Sequence, residues 1–191
     1  MSSIARLKVV LNEVEPKVMR RFEVPITMRL SRLHTVLQII LGWTDSHLYD
    51  FSFRETAYSI PDPEWDYHCI DARSTSLHRA IKDNGTLSFK YIYDLGDGWT
   101  HSIKVEKIEP ALPGLDYPFL IQASGRCPPE DVGGPHGYAK LLKILDNPKH
   151  PEHDDMLVWA GGRIDPYFVD IAAIERKLKR FQASKAKQAS T

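Results

Sequence analysis

Apolar and polar positions alternate most regularly between Leu87 and Ile108. Leu87, Phe89, Tyr91 and Tyr93 hold the odd positions, with Ser88, Lys90 and Ile92 between them. Side chains alternate faces along a strand, so the odd set faces a core. Asp94-Leu95-Gly96-Asp97-Gly98 then breaks the pattern. Its glycines supply positive φ and its aspartates favour turn starts. Afterwards Trp99, His101, Ile103 and Val105 share one face, and Thr100, Ser102, Lys104 and Glu106 the other. This predicts a β-hairpin over 86–93 and 99–108. The same alternation predicts strands over 4–14, 17–24 and 47–54, the last with His47, Tyr49, Phe51 and Phe53 on one face.

Leu30, Leu33, Leu37, Ile40 and Leu41 follow helical spacing instead, which predicts a helix over 28–41 with Gly42 as its C-cap. Further helices are expected over 76–81, 138–145, 151–159 and 166–181, and a short strand over 119–122. Arg126 to Tyr138, RCPPEDVGGPHGY, is too rich in Pro and Gly for regular structure. Strands fill the first two-thirds and helices the last. The expected fold is α+β, with a mostly antiparallel sheet, helices packed on one face and the C-terminal third helical. Length favours one domain, residues 1–181, with 182–191 a basic tail expected to fray.

Composition changes this picture little. The chain has 191 residues, 42% hydrophobic and 26% charged, and its 25 basic and 25 acidic residues cancel. Net charge therefore gives no support to a nucleic-acid partner. Two cysteines are too few for a disulfide framework and point to a reducing cytoplasm. No apolar run approaches membrane-spanning length, so no membrane partner is expected.

Candidate chemistry centres on three histidines at the edges of apolar faces: His34, His47 and His101. Each alone reads most simply as a hydrogen-bonded core or turn residue. Together they suggest a shared pocket, formed with Gln38, Trp43, Asp94, Asp97 and Trp99. The Cys127–Gly137 loop, carrying Cys127, Glu130 and Asp131, would be its lid. His47, His101 and Asp97 are the candidate metal ligands, because imidazole and carboxylate suit divalent transition metals. Such a metal is the one cofactor the pattern suggests. Asp94–Gly98 does not follow an EF-hand loop, and Cys127 has no second cysteine at zinc spacing. Acids beside Cys127 would raise its pKa, which argues against a thiolate nucleophile. Arg20, Arg21, Arg29 and Arg32, with Lys185 and Lys187, are the candidates for nucleic-acid contact, although solvated charged faces are the commoner explanation.

Four ordered stretches carry a further signal: LHTVLQIILGWTDSHLYDF (33–51), YDLGDGWTHSIKVEKI (93–108), CPPEDVGGPHGY (127–138) and HPEHDDMLVWAGGRIDP (150–166). With them the chain resembles the plasmid pRiA4b ORF-three-like family over nearly its whole length. It departs at Leu95, where the family usually has Phe, and at Arg29, where a small or polar residue usually stands. The resemblance implies a shared fold and a setting on plasmids and mobile elements, with little biochemistry. The expected function is a cytosolic module that binds a small ligand or a protein partner. The alternatives are a metal-dependent hydrolase or nuclease using a His/Asp cluster, and a nucleic-acid-binding accessory protein.

Overall fold

Parity organises the sheet as expected. In the computed structural model, which describes residues 3–64 and 67–188 and side chains as far as Ser184, β6 (Ser88–Tyr93) and β7 (Trp99–Pro110) pair antiparallel with Tyr91 opposite His101. Phe89, Tyr91, Tyr93, Trp99, His101, Ile103 and Val105 are all buried on one face. β7 also pairs with β1 (Ser3–Leu11), which pairs with β2 (Met19–Pro25), which pairs with β8 (Phe119–Ser124). On the other side β6 pairs with β3 (Tyr49–Phe53), then β4 (Thr56–Ser59) and β5 (Ile70–Asp71). The sheet order is β5-β4-β3-β6-β7-β1-β2-β8, antiparallel except at β4–β5.

Helix α1 (Leu30–Leu41) packs on the buried face, with Leu33, Leu37 and Ile40 fully buried. Each such side chain contributes about 1.5–3 kcal/mol of transfer free energy. Gly42 ends the helix in the left-handed conformation, at φ +96°. Helix α2 (Leu77–Asn84) starts at Ser76, whose hydroxyl accepts from the Arg79 amide at 3.2 Å. Then come α3 (Gly134–Asp146), α4 (His153–Trp159) and α5 (Ile171–Gln188). The fold is thus the expected α+β, with five helices and a mostly antiparallel sheet among the described residues. No described helix is long and apolar enough to cross a membrane.

The differences are local. β4 and β5 are too short to show alternation. α3 begins at Gly134, inside the segment expected to be irregular, because Pro135 fits the first turn of a helix, where no backbone donor is needed. α5 starts later than expected, with the Asp170 carboxylate accepting from the Ala173 amide at 2.8 Å. It continues past Phe181. The side chains of Lys185 and Lys187, and residues 189–191 of the expected tail, lie outside the described residues.

Candidate metal centre

Three segments meet at one end of the sheet: loop 43–48 after α1, turn 94–98 between β6 and β7, and segment 127–133 before α3. The Asp94 amide donates to Leu48 O at 2.9 Å. The Trp43 indole donates to Pro128 O at 2.9 Å, and the Gly133 amide to Asp97 Oδ2 at 3.2 Å. Gly134 fits against the turn only because it lacks a side chain. A Cβ there would lie 2.4 Å from Asp97 O, and its φ is +68°.

Asp94 shapes the turn with one carboxylate oxygen and leaves the other free. Its Oδ1 accepts from the Gly96 and Asp97 amides at 2.9 and 3.2 Å. Its Oδ2 faces His47 Nε2 at 3.7 Å, and Asp131 Oδ1 lies 3.1 Å from the same nitrogen. His47 Nε2 is shielded from solvent yet hydrogen-bonded to neither carboxylate, because the short contact to Asp131 is misaligned. One ligand atom from each of His47, Asp94 and Asp131 lies within 4.8 Å of the others. Asp94 and Asp131 both adopt positive φ, at +57° and +59°, a region aspartate enters more readily than most residues.

Glu130 fastens the lid beside this cluster. Its carboxylate accepts from the Thr44 amide at 3.0 Å and hydroxyl at 2.7 Å, from the Ser46 hydroxyl at 3.3 Å and from the Tyr93 phenol at 2.5 Å. Burial pushes the Glu130 carboxyl up, but these donors outweigh it and hold it below the usual carboxylate range. Burial, then Glu130, pushes Tyr93 up to about 12, so the phenol remains a donor.

His34 belongs to a different, closed network. It stacks on Tyr49 with ring centroids 3.7 Å apart. The Gln38 amide donates to the Tyr91 phenol at 3.0 Å, and that phenol lies 2.8 Å from His34 Nδ1. His34 Nε2 lies 2.5 Å from Asp45 Oδ1, and the Asp45 amide donates to Gln38 Oε1 at 3.1 Å. A neutral imidazole protonated at Nε2 satisfies every bond in this ring. Burial, partly offset by Asp45, lowers the His34 pKa.

The expected pocket residues therefore separate. His47, Asp94 and Asp131 come together, with Asp97, Glu130 and Trp43 holding the lid against them. His101 and Trp99 are fully buried. His101 packs edge-on to Trp43 at 5.4 Å and contacts Tyr91 O at 3.2 Å, and burial pulls its pKa down to about 4. It is too deep to join His47 as a ligand, and Asp97 is engaged with the lid. Cys127 packs against the core, and burial pushes its thiol up to about 12, so it is no nucleophile. Sequence reasoning missed Tyr93, Thr44, Ser46 and Asp45. Tyr93 alone left a signal, since a phenol at a strand end on the core face needs a polar partner.

The arginines expected to touch nucleic acid are mostly committed. Arg20 is 1% exposed and donates to Ile40 O, Met19 O, Ser124 O and Gly125 O, tying α1 to the β2–β8 edge. Arg21 pairs with Glu106 at 2.8 Å and with Gln122. Arg32 stacks on the Phe181 ring at 4.2 Å. Of the four, Arg29 alone is exposed and without an ion pair among the described residues, and it stands just before α1.

The sequence profile of the family described as plasmid pRiA4b ORF-3-like protein matches residues 3–173. The chain belongs to that family. It is 54% identical over 160 residues to "Uncharacterized protein y4hQ" of Sinorhizobium fredii (strain NBRC 101917 / NGR234), covering 84% of this chain and 82% of the relative. Among solved structures it is similar to a protein of unknown function, MM3350, from Methanosarcina mazei Go1. That likeness has a TM-score of 0.80 at 26% identity, over 89% of this chain and 96% of the other. The family's description names no activity.

Proposed function

We propose that this protein is a ligand-binding module whose ligand is a divalent cation held by His47, Asp94 and Asp131. The observation that carries the reading is the convergence of one imidazole and two carboxylates within 4.8 Å, with His47 Nε2 shielded and unbonded. A first-row cation sits about 2.0–2.2 Å from nitrogen and carboxylate ligands, so one ion between these atoms needs only small side-chain adjustments. Mixed imidazole and carboxylate ligands favour manganese, iron or zinc over calcium. The two unpaired cysteines support a cytosolic setting, and the family's plasmid name supports a link to mobile elements.

A second reading, a metal-assisted hydrolase, is supported by openness. The Asp131 side chain is 72% exposed, and three protein ligands leave positions for water and substrate. Thermal melts with manganese, zinc and magnesium test the common premise. A bound ion at a hundredfold excess over its Kd stabilises by about 2.7 kcal/mol. Native protein should therefore gain roughly 5–10 °C in Tm, while Asp131→Asn, altered at an exposed position, should fold normally and gain nothing. No gain with any of the three ions would overturn both readings. Metal-dependent turnover of a phosphodiester, lost in Asp131→Asn, would decide for the hydrolase.

A further inference from the structure

The face of the sheet opposite α1 carries no helix among the described residues, and its charge is segregated. Lys8, Lys90 and Lys104 project from β1, β6 and β7 into one shallow cleft of about 500–600 Å³, bordered by Arg54 beyond the end of β3. The register packs them closely. Lys8 stands directly opposite Lys104, Lys104 opposite Ser88, and Lys90 opposite both Ser52 and Ser102. Like charges directly opposite each other destabilise a sheet. None of the three lysines has an ion pair or hydrogen bond among the described residues, whereas Arg21 and Arg6 on the same face have carboxylate partners. Among the described residues the Arg54 guanidinium donates to the Gly85 carbonyl alone, at 3.2 Å. The neighbouring carboxylate, Glu106, is hydrogen-bonded by Arg21 and is close enough to Lys8 for its pKa to be lowered by it. Zero net charge thus conceals a face where basic groups outnumber the carboxylates that reach them.

We infer that this face binds the phosphate backbone of a nucleic acid, at a site distinct from the arginines the sequence suggested and independent of the cation site. Charge complementarity selects the occupant. Lysines act as point charges for phosphate. The Ser52 and Ser102 hydroxyls already donate to Arg54 O and Asn12 Oδ1, which leaves the Ser88 hydroxyl as the cleft's donor to a phosphate oxygen. Of the apolar residues bordering the cleft, Phe89 and Ile103 are 5% and 2% exposed and Val10 is half-buried, so it offers only one small anchor for an apolar peptide or a lipid chain. It also offers no exposed aromatic ring for bases to stack on, so recognition is of the backbone, without sequence preference.

The test is fluorescence anisotropy with a labelled 20-base-pair duplex of mixed sequence, at 50 and 200 mM salt. Three or four phosphate contacts give a log–log salt slope of about −3, hence roughly 60-fold weaker binding at the higher salt. The triple variant Lys8→Gln, Lys90→Gln and Lys104→Gln should bind at least ~10-fold more weakly at 50 mM and lose most of that slope. Lys140→Gln with Lys143→Gln, which removes charge from α3 instead, should bind as the native protein does. The inference is overturned if the native protein does not bind at 50 mM salt, or if both sets of substitutions weaken binding equally. It is also overturned if polyglutamate of matched charge competes as well as DNA, or if phosphatidylserine vesicles bind and DNA does not.

Discussion

Replacing Glu130 with Gln isolates what fastens the lid. The change keeps shape and removes charge from a carboxylate that accepts four hydrogen bonds, two of them at 2.5 and 2.7 Å. Hydrogen bonds to a charged acceptor contribute about 1.5–3 kcal/mol each, against about 1 for neutral pairs. The two short bonds together then lose ~1–4 kcal/mol, and partial exposure of the site lowers this to about 1–2. For a protein of this size that is a fall of roughly 3–6 °C in Tm at pH 7. The pH dependence is the sharper check. The Glu130 carboxyl is held low in the folded state. Its contribution is therefore fully present above the unfolded value, about 4.3, and is lost as pH falls through the folded value. Scanning calorimetry of both proteins at pH 7, 5 and 3.5 should show a gap that is constant between pH 7 and 5 and narrows by 3.5. An absent gap at pH 7, or one that does not narrow, would refute the reasoning.

The remaining predictions concern one core residue and one glycine. His101→Leu should lie within about 1 kcal/mol of the native protein in urea unfolding at pH 7, because it removes an imidazole whose Nε2 is buried and unpaired, while His101→Ala should lose ~2–4 by leaving a cavity. With its folded pKa near 4, below the unfolded value of about 6.5, native His101 costs stability as pH falls between those values, and His101→Leu should flatten that part of the profile. An unchanged profile would contradict its burial. Gly134→Ala should lose ~2–4 kcal/mol, since its Cβ would lie 2.4 Å from Asp97 O at a positive φ, and an unchanged Tm would contradict the close packing of lid and turn.

Alternation revealed which face each strand residue takes, but not how deep it lies. His47 and His101 looked equivalent, each at the edge of an apolar face. His101 sits mid-sheet, paired to Tyr91 on one side and Leu11 on the other, so both neighbouring strands cover it. His47 precedes β3, leaves the pleat and reaches the rim. α1 was legible because Leu33, Leu37 and Ile40 repeat at helical spacing and Gly42 marks the end. β5 was not, since its two residues owe their parallel pairing to packing rather than pattern. The replacement of Asp97 by Asp131 beside His47 had no local cause either. It follows from the path of segment 127–133, which contacts such as Trp43 to Pro128 set across 85 residues of chain.

That dependence makes the lid part of the candidate site. Asp131 arrives on the segment that Glu130 fastens, whereas His47 and Asp94 belong to the sheet end beneath it. A cation that needs all three ligands binds only the docked lid, so its apparent affinity scales with the docked fraction. Losing the Glu130 charge removes about 1–2 kcal/mol but leaves the Trp43–Pro128 and Gly133–Asp97 bonds intact. The lid then stays docked for most molecules, and the Tm gain with cation should persist in Glu130→Gln. Gly134→Ala acts differently, because the new Cβ pushes the lid off Asp97 itself and shifts Asp131 with it. Its Tm gain with cation should therefore shrink markedly. A gain kept in full in Gly134→Ala would mean that Asp131 is not positioned by the lid, and that His47 and Asp94 alone define whatever binds there, whereas a gain lost in Glu130→Gln would mean that the Trp43–Pro128 and Gly133–Asp97 bonds do not hold the lid by themselves.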